Sequence, residues 1–140
     1  MKFRSKGGAL LIETPGGRSI ELNADTLFVS VGEVKPSYRM SRGSFKIRQK
    51  KLSETRLFLS HVKDGDGGAV LELSSKNGGA VLAVSLTEDN GILKFTPRVL
   101  DGGNYNRLAF RLPASPDESV YGGGETFAEF DLRGKRQRVW

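Results

Sequence analysis

The 140-residue chain contains no cysteine. That excludes a disulfide framework, a thiolate nucleophile and any cysteine-ligated metal site, and it fits a reducing, cytoplasmic setting. No apolar run approaches the roughly 20 residues needed to span a membrane. The first eight residues carry positive charge, but the apolar run at 9–12 stops at Glu13, too short for the core of a signal peptide. A soluble cytoplasmic protein with no membrane partner is the expectation. Helical signals are absent as well: no window sustains apolar residues at a 3.6-residue period with caps, which leaves room for a turn at 115–118 and little else. With no internal repeat, low-complexity tract or linker, residues 1–140 read as a single domain.

What the chain does have is a succession of short strands with turn residues between them. A composition of 37% hydrophobic and 27% charged residues argues for an ordered domain with a modest core. Segments 9–14 and 18–22 flank Pro15-Gly16-Gly17 and predict a first hairpin. Segment 27–31 runs through Gly32 to Val34 and a break at Pro36, since proline argues against a central strand, with 38–40 continuing as an edge segment. Strands are then predicted at 44–48 and 54–62, the second closed by the turn at 63–68. Segments 69–74, 80–87, 91–99 and 105–112 are separated by Asn77-Gly78, Asn90-Gly91 and Asp101-Gly102-Gly103. Residues of these types tolerate positive φ, so an antiparallel meander with tight hairpins is expected. Leu93, Phe95 and Val99 alternate with Lys94 and Arg98, and Leu108 and Phe110 with Arg107 and Arg111, giving each strand one core face. Pro97 is expected at a bulge or an edge. The fold class predicted is all-β, an antiparallel sandwich or barrel.

The net charge is +6 with a pI near 9.8, so a polyanion partner has to be weighed. One basic cluster comprises Arg39, Arg42, Lys46, Arg48, Lys50, Lys51 and Arg56; a second comprises Arg133, Lys135, Arg136 and Arg138. In the first, Lys46 and Arg48 alternate with Phe45 and Ile47, the pattern of a solvated sheet face. Asp64-Gly65-Asp66-Gly67 resembles the opening of a calcium loop, but Gly68 and Ser75 occupy ligand positions, so it reads as a hairpin turn and no metal is expected. His61 neighbours Ser60, yet adjacent strand residues face opposite ways, so the two do not form a base and nucleophile. Gly122-Gly123-Gly124 lacks the spacing and the following helix of a phosphate loop, and no cofactor is expected.

The most distinctive stretch is 121–140. Three successive glycines between Tyr121 and Glu125 imply backbone that approaches something closely or takes positive φ. Around them stand aromatics and charges suited to a sugar pocket or a domain interface. Glu129 and Asp131 would share one strand face about 6–7 Å apart, which approaches a sugar from one side only and makes them a poor catalytic pair; they read as partners for Arg133 or other arginines nearby.

Tyr121-Gly122-Gly123-Gly124-Glu125-Thr126-Phe127, followed by Phe130-Asp131-Leu132-Arg133-Gly134 and Trp140, resembles the signature closing the N-terminal β-sandwich of glycoside hydrolase family 31. The run Asn106-Arg107-Leu108-Ala109-Phe110-Arg111-Leu112-Pro113 leads into it as in the family, and Phe-Asp-Leu-Arg-Gly is closest to its sulfoquinovosidase-like members. The resemblance implies a galactose-mutarotase-like supersandwich, incomplete at its C-terminal end, that packs on a (β/α)₈ barrel. In the family both catalytic aspartates belong to that barrel, so this chain alone is expected to be inactive and its parent to be a retaining α-glycosidase. Gly122, Gly123, Gly124, Glu125, Thr126, Phe127, Phe130, Arg133 and Trp140 would shape the pocket mouth or the interdomain surface. The implied partners are the barrel and a carbohydrate at the mouth, with self-association through the exposed edge; nucleic acid is disfavoured. The alternative is an independent basic β-domain that binds a polyanion such as RNA through Lys46, Arg48, Lys50, Lys51 and the C-terminal basic run.

Overall fold

A computed structural model describes residues 1–111 and Ser119. Among the described residues there are nine strands and no helix, hence no helix long and apolar enough to cross a membrane. Strands β1 (Lys2–Lys6), β2 (Ala9–Glu13) and β3 (Ser19–Leu22) form an antiparallel sheet in that order. Strands β4 (Phe28–Ser41), β5 (Ser44–Gly65), β6 (Gly68–Ser75), β7 (Ala80–Asp89), β8 (Ile92–Val99) and β9 (Arg107–Arg111) form a second antiparallel sheet, ordered β8-β7-β6-β5-β4-β9. The predicted all-β class and the hairpin around Pro15-Gly16-Gly17 are therefore observed. Between the sheets Asn23 makes the corner, its Oδ1 accepting the N–H groups of Asp25 and Thr26 at 2.9 Å each.

Alternation places the core. Phe3, Leu10, Ile12 and Leu22 of the small sheet pack against Val29, Val31, Leu57, Leu71, Leu73, Val84 and Leu86 of the large one. Two such inner faces make a sandwich. The Asp64 carboxylate ties them at one end by accepting both the N–H and the hydroxyl of Ser5. At another point the N-terminal ammonium lies 3.5 Å from Glu88.

Two strand boundaries depart from expectation. Pro36 does not break the chain: β4 runs continuously through it to Ser41. Among the described strands, β4 beyond Gly32 is paired with β5 alone, because β9 matches only Phe28 to Gly32, and a strand with one open edge tolerates a residue without an N–H. Likewise 44–48 and 54–62 are not separate strands but parts of one 22-residue strand. The register skips Leu52 opposite β4 and Ser60 opposite β6, so bulges rather than turns absorb the irregular stretches of β5. The turn between β4 and β5 carries no proline or Asn-Gly signal; it is Arg42-Gly43, both at positive φ (48° and 75°), the backbone that a two-residue hairpin link requires.

A third departure matters more for function. Strand β9 was expected beside β8, but it pairs with β4 at the opposite end of the sheet. The sheet curls so far that its two outermost strands meet through side chains: Phe95 of β8 and Phe110 of β9 pack edge to face, centroids 5.9 Å apart at 67°. Pro97 lies on β8, an edge strand, as expected.

Leu71 is fully buried at the centre of this core. Leu71→Ala should lower stability by about 2–5 kcal/mol, read in urea as a lower midpoint at unchanged slope; a loss below about 1 kcal/mol would contradict the packing described.

Candidate functional site

The nine site residues predicted from the sequence, Gly122, Gly123, Gly124, Glu125, Thr126, Phe127, Phe130, Arg133 and Trp140, lie outside the described residues, as do Glu129, Asp131 and the basic run from Arg133 to Arg138. The structure describes the element that leads to them, strand β9, and the loop at 100–106 that delivers it.

That loop is not a tight hairpin. The Asp101 carboxylate organises it, accepting the Gly103 N–H at 2.9 Å on one oxygen and the Tyr105 hydroxyl at 2.7 Å on the other. The Tyr105 ring covers Gly103 so closely that a Cβ there would collide with it. These bonds, the Gly103 amide first and then the Tyr105 hydroxyl, hold the Asp101 carboxyl below its ordinary value of 3.8. The same hydrogen bond, aided by burial, raises Tyr105 above 10.0.

Asn106 then docks the chain onto β4. Its backbone N–H donates to the Gly32 carbonyl at 3.1 Å. Its side chain accepts the Val34 N–H and donates to the Val34 carbonyl, both at 2.9 Å. The amide thus acts as one more strand residue and sets the register in which Arg107 faces Gly32 and Arg111 faces Phe28. Gly32 itself is needed for close approach, since a Cβ there would lie 2.5 Å from the Ser53 carbonyl oxygen.

Each face of β9 borders a groove. One, of about 200 Å³, is lined by Ser30, Lys51, Ser53, Glu54 and Arg107 among others, and is smaller than the roughly 300–1,000 Å³ of ordinary ligand sites. The other, of about 330 Å³, lies between Val31, Leu82, Val99 and Leu108, with Tyr105, Asn106 and Arg107 at its polar side. Glycoside hydrolysis needs two carboxyl groups, one of them protonated. Among the described residues the first groove offers a single carboxylate, Glu54, and the second has none in its lining. Lys51, at 2.8 Å, holds Glu54 below its ordinary value of 4.5, with help from the Ser30 hydroxyl at 3.2 Å and the charge of Arg111. That is the wrong direction for a general acid.

Several of the remaining candidates have structural roles. Ser60 is the bulge residue of β5; its hydroxyl donates to the Glu72 carbonyl at 3.0 Å and accepts from Ser74 at 2.8 Å, not from His61. Asp64 belongs to Ser5. Of the basic cluster, Lys46, Arg48 and Lys50 share one exposed face of β5, while Lys51 points the other way to Glu54. Arg56 stacks over Phe28 and Phe58 at 5.0 and 5.1 Å, and Arg111 over Phe28 at 4.7 Å. The anchors Asp101, Tyr105 and Asn106 were not singled out as functional from the sequence; the asparagine at the head of the β9 motif was the available signal.

Two predictions follow from the anchor. Asn106→Ala should cost about 1 kcal/mol at this exposed site, measured by urea unfolding, whereas an unchanged midpoint would mean that the Val34 bonds do not hold β9. Asp101 favours its ionised form when folded, so its contribution is present above pH 3.8 and lost as the pH falls through its lower folded value. The gap in melting temperature between the native chain and Asp101→Asn should therefore narrow as the pH is lowered from neutral to well below 3.8; a gap of constant size would refute the assignment.

No protein-family model matches the chain. Among curated proteins it is similar to the sulfoquinovosidase of Escherichia coli (strain K12), 34% identical over 113 residues, covering 72% of this chain and 15% of that protein. It is also 36% identical over 113 residues to the sulfoquinovosidase of Agrobacterium fabrum (strain C58 / ATCC 33970), covering 81% of this chain and 16% of the relative. A solved structure, a GH31 family sulfoquinovosidase from E. rectale in complex with the aza-sugar inhibitor IFGSQ, superposes with a TM-score of 0.73 at 24% identity, over 96% of this chain and 19% of that one. The chain thus spans about 15–16% of the length of the curated relatives it matches. With its signature residues, its sequence relatives and its strand architecture in agreement, the chain belongs to glycoside hydrolase family 31, as an N-terminal β-domain portion of such a protein.

Proposed function

We propose that this chain is the non-catalytic, galactose-mutarotase-like β-domain of a retaining α-glycosidase that cleaves a sulfoquinovoside, and that it supports the catalytic barrel and borders the mouth of its active site. The observation that carries this reading is the 34% and 36% identity to two sulfoquinovosidases over 113 residues. The chemistry among the described residues agrees with a supporting role. Neither groove beside β9 holds two carboxylates, and a retaining mechanism needs a nucleophile and an acid/base about 5–5.5 Å apart. In this reading those two groups belong to the barrel.

The contribution of the β-domain is positional. Asp101, Tyr105 and Asn106 fix β9 against β4, and a rigid strand is the base from which Gly122, Gly123, Gly124, Glu125, Thr126, Phe127 and Phe130 would reach the mouth. The glycines would allow close backbone approach, Phe127 and Phe130 would offer flat faces to a sugar, and Arg133 and Trp140 would meet the barrel. Binding of a carbohydrate by such residues acts on KM and leaves the chemical step to other groups.

The 140-residue chain, assayed alone with a chromogenic sulfoquinovoside, should show no hydrolysis above background. In the polypeptide that includes the barrel, Phe127→Ala should raise KM several-fold with kcat changed less than twofold. Turnover by the chain alone, or a loss confined to kcat, would overturn the reading.

A further inference from the structure

Among the described residues, the outer halves of β4 and β5 leave the sheet as a two-stranded ribbon, since β9 pairs β4 only as far as Gly32 and β6 pairs β5 only from Leu57. Register sorts its side chains. Lys35 lies opposite Lys50, Ser37 opposite Arg48 and Arg39 opposite Lys46, so five cations share one face, all of them exposed. Between Glu33 and Glu54 there is no acidic residue, and among the described residues none of the five meets a carboxylate. Lys35/Lys50 and Arg39/Lys46 are like charges placed directly across a strand pair, an arrangement that destabilises a ribbon. Scattered lysines and a proline guard open edges against aggregation. That role accounts for Pro36 and a charge or two, but not for two opposed like-charge pairs on an acid-free face.

We propose that the open edge of β5 at 44–51 is a docking site for an extended, acidic peptide segment of a partner protein. The segment adds as a further strand and presents carboxylates at alternate positions to Lys46, Arg48 and Lys50. Side chains on one face of a strand recur every ~6.8 Å, so an added strand with acids at every second residue matches all three cations in one register. Its backbone satisfies the unpaired groups of the edge. The β5 edge is favoured over that of β4, where Pro36 removes a donor. A single-stranded nucleic acid is a poorer match. Stacking platforms bind bases through aromatic rings next to the cations, whereas Tyr38 falls on the reverse face, opposite Ile47. The inference rests on the ribbon alone and does not depend on the glycosidase reading.

The test is fluorescence anisotropy with the 140-residue chain and three labelled probes. They are an eight-residue peptide of alternating Glu and Val, the same peptide N-methylated at alternate amides, and a single-stranded RNA of equal charge. The peptide should bind at least tenfold tighter than either of the others. The triple variant Lys46→Glu, Arg48→Glu, Lys50→Glu should lose at least tenfold in peptide affinity. Its melting temperature should hold or rise, because the new carboxylates face Arg39 and Lys35. Arg48→Gln alone, which leaves both opposed pairs intact, should weaken the peptide at least threefold. Equal binding of the N-methylated peptide, RNA binding as tight as the peptide, no peptide binding, or unchanged affinity in both variants would each overturn the proposal.

Discussion

Strand β9 has one hydrogen-bonding neighbour among the described strands, β4, and the arrangement of the large sheet depends on that pairing. Five residues from Arg107 to Arg111 align with Gly32 to Phe28, which requires the sheet to curl until the edge of β4 comes within reach of the loop leaving β8. The curl in turn creates the contact of Phe95 with Phe110 across the gap between the outermost strands. Remove the pairing and the Phe110 ring loses its seat on the core, and the two grooves beside β9 lose a shared wall. The side chain of Asn106 and the carboxylate of Asp101 are small groups, but they decide where this strand begins.

The acidic residues of the described chain with perturbed titration share one character. Glu54, Asp64, Glu88 and Asp101 are all held below their ordinary values, by Lys51, by Ser5, by the Gly91 amide and by the Gly103 amide respectively as the leading cause. Each carboxylate is ionised at neutral pH and organises a turn, a sheet contact or a loop. A carboxyl group kept protonated for acid catalysis would be displaced in the other direction. These four anions thus serve structure, while among the described residues five cations gather on one face of the ribbon of β4 and β5.

Much of the fold was legible before the structure because its cues are local. Asn77-Gly78 and Asn90-Gly91 marked real turns, and alternation along 91–99 and 105–112 identified Leu93, Phe95 and Phe110 as residues that pack on the core, while Val99 and Leu108 of the same faces stand exposed beside the curled edge. Pro36 misled for an equally local reason: proline is excluded where both edges of a strand are paired, and whether an edge is paired is not written in the residues beside it. The bulges at Leu52 and Ser60 were invisible for the same reason, since a bulge is a mismatch between two strands and not a property of one.

By itself, the sequence determined the family, through the glycine-rich signature and the motif from Asn106 onwards, together with the all-β class and most turns. Those are set by residue type and spacing along the chain. Only the tertiary structure decided that β9 joins β4 instead of β8, that Asp101 and Tyr105 build the loop between them, and that Lys35 and Arg39 stand on the same face as Lys46, Arg48 and Lys50. Each of these depends on which strand lies beside which and in what register, and pairing between segments distant in sequence is chosen by the packing of the whole core.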